Sequence, residues 1–223
     1  MPSYSGIFTL QAQMQAIADN NWPSPPLVIG QAYEGGFFAG QIGVSSVATH
    51  NLVIGPLSTA RSGTTLQWKN AGTATAGADS VIDGPQNTAD MVADGNSTVY
   101  PCAHFCNDLV IGGFSDWYMP AQNELEVCYF NLKPGTASNT TSSGINANAV
   151  PARASNYTAG NPAQTSVAAF QTGGAETFDT VIYWSSTEVT ATAARRQGFN
   201  TGVQYGGNKV YSYRVRAIRR VAV

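Results

Sequence analysis

"GGFSDWYMPAQNELEVCY" (residues 112–129) joins two kinds of pattern in one short stretch. Its first half is an extended aromatic piece, in which Trp117 is large enough to anchor a small core. Met119 and Pro120 then turn the chain into a helix, predicted over residues 121–132 because apolar side chains recur at i, i+3, i+4 and i+7. Those side chains are Leu125, Cys128, Tyr129 and Leu132.

Shorter patterns on either side complete a mixed prediction. Upstream, helices are predicted over residues 88–94 and 101–113, the second with Pro101 in its first turn. Downstream, "VIYWSSTE" (181–188) indicates a buried strand, and two or three further strands follow it. Helices in the middle and strands at the end predict an α+β domain with an antiparallel sheet.

Composition divides the rest of the sequence. Residues 1–26 contain a short helical pattern stopped by a proline-rich stretch, so we interpret them as a separate attachment or oligomerisation segment. Residues 27–223 form the main domain. Within it, residues 134–180 are rich in Gly, Ala, Ser, Thr and Asn and are predicted to be a loop-rich insertion on the surface.

Charge is scarce and unevenly distributed. Charged residues make up 11% of the chain, and the formal net charge is −2, so net charge predicts no partner. Residues 1–188 carry four basic and thirteen acidic residues, whereas residues 189–223 carry seven basic residues and no acidic one. Such asymmetry marks either a nucleic-acid surface or arginines that pair with acids elsewhere in the fold. Structural pairing is favoured, because "SYRVRAIRRV" (212–221) alternates like a strand.

Other function classes leave weak signatures or none. No run of about 18 apolar residues predicts a membrane span, and no secretory signal is visible. His50 and His104 lie in no nucleophile context, and no Walker loop or dinucleotide fingerprint occurs. On a helix, Cys102 and Cys106 share a face while His104 points elsewhere, which favours core packing over a zinc site. Neither a cofactor nor a metal is predicted.

Three stretches together resemble the C-type-lectin-fold domains of phage tail tips and related bacterial surface proteins. They are the opening stretch, "YWSSTE" (183–188) and "YRVRAIRRV" (213–221), with the patterns W-Y-x-P-x-x-x-E-L, Y-W-S-S-[ST]-E and Y-x-V-R-A-[IV]-R. The resemblance covers most of residues 100–223 and implies a C-type lectin fold with short helices, a small antiparallel sheet and long loops. One departure is Ala121, where a helix-capping Ser is common in the family.

The last stretch more narrowly resembles the variable region of proteins diversified by a retroelement that mutates adenines in a template. The frame expected from this resemblance comprises Gln197, Phe199, Gly202, Gln204, Lys209, Ser212 and "VRAIRRV" (215–221). Residues of unlike character lie between these positions, and Tyr and Arg among them are typical of binding hot spots. The variable region is placed at residues 189–213, and its candidate ligand-binding residues are Arg195, Arg196, Gly198, Asn200, Thr201, Val203, Tyr205, Gly206, Asn208, Val210, Tyr211 and Tyr213.

The resemblance also implies a function. The chain is expected to be a non-enzymatic protein of the virion, at a phage tail tip, that recognises a bacterial surface protein or glycan. Its other expected partners are phage tail proteins and further copies of itself in a trimer, with no nucleic acid and no insertion into a membrane. Four cations of the last stretch would belong to the scaffold and pair with acids, namely Arg214, Arg216, Arg219 and Arg220.

Two alternatives to this expectation stay open. The chain could be a structural tail or baseplate component without a ligand. It could also be an enzyme, because the fold is related to that of the formylglycine-generating oxidases, which need reactive cysteines in a cleft. The cysteines here, Cys102, Cys106 and Cys128, fall on predicted apolar helix faces, which disfavours that reading.

Overall fold

The computed structural model describes Met14 and residues 26–223. The predicted segment 1–26 lies almost wholly outside the described residues, so its separate role stays a prediction. Within residues 26–223 the four α-helices are α1 (Leu57–Ala60), α2 (Gly84–Asp94), α3 (Pro101–Asn107) and α4 (Gln122–Leu132). The strands are β1 (Ala32–Tyr33), β2 (Gly36–Val44), β3 (Val47–Ile54), β4 (Leu66–Gln67), β5 (Ala149–Val150), β6 (Ile182–Thr190), β7 (Ala193–Gly198), β8 (Gln204–Asn208), β9 (Ser212–Tyr213) and β10 (Ile218–Ala222).

The strands form three antiparallel groups. The largest sheet has the order β1-β2-β3-β10, with β5 paired to β2. In it, β10 pairs with β3 so that Ile218 lies opposite Ile54. A second sheet has the order β6-β7-β8, and β4 pairs with β9. The prediction of an α+β domain with antiparallel sheets is confirmed, and the architecture is that of a C-type lectin-like fold.

Helix α4 forms where its apolar periodicity predicts it. The departure at Ala121 is compensated, because the Glu124 carboxylate accepts a hydrogen bond from the Ala121 backbone N–H at 2.8 Å. The Thr187 hydroxyl accepts another from the Gln122 N–H at 3.0 Å. Two side chains thus satisfy the first backbone donors of the helix, as a single capping Ser does elsewhere.

The two upstream helices differ from prediction in length. Helix α2 begins four residues before the predicted range 88–94, because Asp83 caps its first turn and Pro85 starts it. Helix α3 is shorter than the predicted range 101–113. Beyond it, Gly112 and Gly113 have φ values of 62° and 85°, which a continuing helix does not allow.

The core consists of two aromatic clusters joined by the sheets. Tyr129 of α4 belongs to one cluster, and Trp184 of β6 belongs to the other. The segment 134–180 holds little regular structure, as predicted, but it places Tyr157 and Phe170 in the first cluster. The prediction that this segment is a surface addition is therefore wrong for these side chains, which form part of the core.

The basic stretch 212–221 is not the single alternating strand that was predicted. It forms β9 and β10 with an irregular link between them. In the link, the Arg214 carbonyl accepts from the Trp184 N–H at 2.9 Å, and the Val215 carbonyl accepts from the Ser62 N–H at 2.9 Å. Neighbouring segments thus bond to these backbone groups. Arg216 and Ala217 are both buried, so successive side chains do not alternate between a buried and an exposed side.

Candidate ligand-binding face

The candidate face (residues 195–213) is built on the sheet β6–β7–β8. In this sheet Trp184 pairs with Arg196, and Arg196 pairs in turn with Tyr205. Since successive side chains of a strand point to opposite sides, Trp184, Arg196 and Tyr205 share one side while Arg195 lies on the other. The structure thus brings Arg196 and Tyr205 together but does not place Arg195 beside them.

Exposure separates the candidate residues from most frame positions. Gln197, Phe199, Gly202 and Lys209 of the frame are buried, whereas Ser212 is exposed. The frame residue Gln204 is half-buried, as are the candidates Arg195, Arg196, Thr201, Val203, Val210 and Tyr213. The fully exposed candidates are Asn200, Tyr205, Gly206, Asn208 and Tyr211.

Gly198 is a correction to the predicted set, because it is buried. It ends β7 where the chain turns into β8, and its N–H donates to the Val203 carbonyl at 2.9 Å. Its own carbonyl accepts from the Gly202 N–H at 2.8 Å. A Cβ atom at Gly198 would lie 2.8 Å from Asn200 Oδ1. Gly198 therefore closes the turn and is a packing position, not a ligand contact.

The turn between β7 and β8 is held from below by aromatic rings. Phe199 stacks on Phe178 with ring centroids 4.0 Å apart and meets the Tyr129 ring edge-on at 5.5 Å. Gly202 has a φ of 72°, and its Cα faces the rings of Tyr129 and Tyr157. The short exposed loop is thus fixed by the interior, as a rigid recognition surface requires.

Lys209 anchors the other end of β8. Its ammonium group is fully buried and lies 2.5 Å from a carboxylate oxygen of Glu188. It also donates to the Thr73 carbonyl at 2.9 Å and stands 4.6 Å over the Trp68 ring. Burial lowers the pKa of Lys209, and the hydrogen bond to Glu188 opposes that shift. The group serves packing and pairing, which agrees with its place in the predicted frame.

The four scaffold arginines pair with acids, as predicted from the uneven charge. Their partners come from earlier parts of the chain, where all thirteen acidic residues lie. The pairs and their shortest N–O distances are Arg214–Asp179 at 3.6 Å, Arg216–Glu176 at 2.8 Å, Arg219–Asp116 at 2.7 Å and Arg220–Glu124 at 2.6 Å.

Five of the seven basic residues in 189–223 therefore form ion pairs, namely Lys209 and the four arginines. The other two of the seven, Arg195 and Arg196, make no ion pair with any residue that the structure describes. Two cations are a small basis for phosphate binding, so the geometry favours structural pairing over a nucleic-acid surface.

Arg196 lies between two aromatic rings. Its guanidinium carbon is 3.9 Å from the ring centroid of Tyr205 and 4.6 Å from that of Tyr213. Its Nη1 donates to the Tyr213 hydroxyl, and the Tyr213 ring packs 4.8 Å from Trp184. The result is a cation in contact with two aromatic rings and bonded to one of them, which restrains a polar group on an aromatic surface.

A family model for the Lcl C-terminal domain matches residues 59–219 of this chain. That range covers well over half of the chain and includes the whole candidate face. The chain belongs to the Lcl C-terminal domain family. This family is linked to the C-type lectin fold, so membership supports the resemblance seen in the three motifs and ligand binding as the general role. No curated protein matches the chain.

In this Lcl C-terminal domain, sequence reasoning missed the network beneath the face. Glu126 is fully buried and accepts from Asn146 Nδ2 at 2.6 Å and from the Tyr157 hydroxyl at 2.7 Å. Arg153 forms an ion pair with it, and Gln197 Nε2 donates to the Tyr157 oxygen at 3.4 Å. Glu126 lies off the apolar stripe that predicted α4, so only the three-dimensional packing reveals its role.

Between residues 26 and 223, no group of three or more His, Cys, Asp or Glu side chains lies close enough to hold a metal ion. None of the described helices combines the length and apolar character needed to cross a membrane.

The cysteines of this Lcl C-terminal domain yield a testable prediction. Cys102, Cys106 and Cys128 are fully buried, and burial raises the pKa of each thiol. Because the thiolate is the reactive form, we expect Ellman's reagent to label the native protein about 100-fold or more slowly than the unfolded protein. Rapid labelling of any one thiol in the folded protein would contradict this and would favour the oxidase alternative.

Proposed function

We propose that the chain is a non-enzymatic receptor-binding protein of a phage tail tip, which recognises a bacterial surface ligand through the candidate face. The observation that carries the proposal is that four frame positions within residues 195–213 are buried, while five of the candidate positions between and beside them are fully exposed. A surface of this kind tolerates change in its contacts while the fold stays constant. That is the property expected of a diversified recognition protein.

The chemistry of the exposed positions supports binding. Tyr205 and Tyr211 expose 38% and 56% of their surface, although large aromatic side chains are usually buried. Exposed Tyr, Asn and Gly beside Arg are typical of protein surfaces that recognise other proteins, because rigid rings supply contact area at low entropic cost. The buried thiols agree with a role that needs no nucleophile.

Oligomerisation belongs to the proposal. One small face binds weakly, and linking several copies gains affinity of about 10²–10⁴-fold without a new contact. We propose a homotrimer attached to other tail proteins, with residues 1–26 serving assembly or attachment. Mass measurement of the purified full chain in solution tests this part, and a monomer at micromolar concentration would contradict it.

The main experiment compares binding of purified protein to a panel of candidate host cells. The test variant carries Arg196, Val203, Tyr205 and Tyr211 all replaced by alanine. We expect it to fold normally and to lose about 10- to 100-fold in affinity, the effect of one or two hot spots among the four positions at about 1.4 kcal/mol each. A control variant replaces three exposed valines outside the face by alanine, Val28, Val47 and Val110, and should bind like the parent.

Fluorescently labelled protein and flow cytometry provide the measurement, with circular dichroism to verify folding. Equal binding by the test variant and the parent would move the site elsewhere, with residues 134–180 as the next region to change. Failure of the parent itself to bind any cell in the panel would favour the structural tail component over the receptor binder.

A further inference from the structure

We infer that the candidate face selects a protein ligand by an acidic side chain, Asp or Glu, that docks on the Arg196 guanidinium between Tyr205 and Tyr213. The inference rests on the proposed function of the same face and names the chemistry of its ligand. Its basis is one cation that the fold holds in place yet leaves without a counter-charge.

The first step is the state of the Arg196 side chain. Its Nε is buried and makes no hydrogen bond within the described part of the chain. Its Nη1 donates to the uncharged Tyr213 hydroxyl. The side chain as a whole is half-buried, and no acid among the described residues forms an ion pair with it. Its positive charge is therefore available to a carboxylate of a ligand.

The second step is pre-organisation. Two rings fix the plane of the guanidinium, and Gly207 lies against its stem: a Cβ atom there would come within 2.7 Å of Arg196 Cδ and Nε. The side-chain entropy that binding normally costs is thus already lost in the free protein. A planar fork held in one orientation matches a carboxylate, which accepts two parallel N–H bonds.

The third step is charge. Apart from Arg195 and Arg196, each arginine in residues 189–223 is paired with an acid of the same chain. The candidate face itself contains no Asp or Glu, since residues 189–223 have none. The residues of the face thus contribute positive charge and no negative charge, which favours a negative group on the ligand over a basic one.

The fourth step favours a protein over a saccharide as the source of the carboxylate. Sites for small ligands are concave, but none of the five cavities described on residues 26–223 is lined by a residue of the candidate face. The exposed Tyr205 and Tyr211 instead stand on an open surface. Such a surface suits a segment of a partner protein that lies across it.

The experiment uses an array of synthetic twelve-residue peptides probed with the full chain. We expect bound peptides to be rich in Asp and Glu, and replacement of those residues by Asn and Gln to weaken binding about 10- to 100-fold. Binding should also weaken as salt rises, because part of the attraction is between partly exposed charges. Polygalacturonate, a carboxylated polysaccharide, serves as the competing source of the same group.

Three variants separate the contributions of charge and position. Arg196→Gln removes the charge and should abolish the preference for acidic peptides. Gly207→Ala keeps the Arg196 charge, but its Cβ atom would lie 2.7 Å from Arg196 Cδ and Nε, so it displaces the guanidinium and should reduce the preference about tenfold or more. Arg61→Gln removes the charge of a partly exposed arginine outside the candidate face and should leave the preference intact.

Failure of this inference can be distinguished from failure of the proposed function. If Arg196→Gln binds acidic and neutral peptides as the parent does, the inference is wrong. Binding to polygalacturonate but not to peptides would overturn the choice of a protein ligand. If the fourfold alanine variant loses binding to cells while Arg196→Gln keeps it, the proposed function stands and the acidic ligand does not.

Discussion

Replacement of Arg216 by alanine is expected to lower the free energy of unfolding by about 3–5 kcal/mol. Arg216 is fully buried, and burial lowers its pKa to about 10, so it is still charged at neutral pH. Its guanidinium donates to the Gly55 carbonyl at 2.9 Å and to the backbone and carboxylate oxygens of Glu176 at 2.9 and 2.8 Å. Alanine leaves these acceptors buried, and the Glu176 charge loses its counter-ion.

Urea denaturation followed by circular dichroism measures this effect. The matched control is Arg195→Ala, which removes a half-buried arginine without an acid partner among the described residues and should change stability by less than about 0.5 kcal/mol. The comparison tests the division of the basic stretch into scaffold and surface. Equal shifts of the two urea midpoints, with unchanged slopes, would show that this division is wrong.

Gly202→Ala is expected to cost about 2–4 kcal/mol, the next largest effect. The φ of Gly202 is 72°, a conformation that costs an L-residue about 1–2 kcal/mol. A Cβ atom there would also lie 2.4 Å from Tyr129 Cε1 and 2.8 Å from Tyr157 Cε2, and overpacking of this kind costs about 1–3 kcal/mol. Both rings are buried and cannot move into solvent without opening the core.

Two other glycines separate backbone strain from steric overlap. Gly173 has a φ of 88° but has open space around its Cα, so Gly173→Ala should show the strain alone, about 1 kcal/mol. Gly63 has open space and no positive φ, so Gly63→Ala should be neutral or slightly stabilising. Thermal unfolding of the three variants ranks them by loss of stability. If Gly202→Ala and Gly173→Ala lower stability equally, the rings of Tyr129 and Tyr157 can move aside and do not hold the turn rigid.

The sequence predicted those parts of the fold that depend on local patterns. Helix α4 was predicted correctly because its apolar side chains repeat within one element. Residues 134–180 were misread because Tyr157 and Phe170 are separated by irregular chain, and their burial depends on packing against Tyr129 of α4 and Phe37 of β2 rather than on any period. The irregular link around Arg216 was missed because its backbone bonds go to distant parts of the chain, which no strand pattern records.

The predictions for the candidate site came partly from physical reasoning and partly from the family resemblance. Charge asymmetry predicted that the scaffold arginines pair with acids, but not that Arg219 would meet Asp116, about a hundred residues earlier in the chain. The order of frame and candidate positions came from resemblance alone. The stacking of Arg196 between Tyr205 and Tyr213 depends on the register of β7 and β8 and on the fold of the basic stretch, neither of which is visible in the sequence.

The position of β10 has a consequence for synthesis of the chain. β3 pairs with β2 on one edge, but its other edge is paired only after residues 218–222 have left the ribosome, and these follow the candidate face in the sequence. A product that stops within residues 195–213 lacks Arg216 and Arg220. It leaves one edge of β3 unpaired and leaves Glu176 and the buried Glu124 without these counter-charges. Such products unfold and are degraded by cellular proteases. Only polypeptides translated beyond residues 195–213 can close the sheet, so strand β10 makes folding of the domain depend on translation past the candidate face.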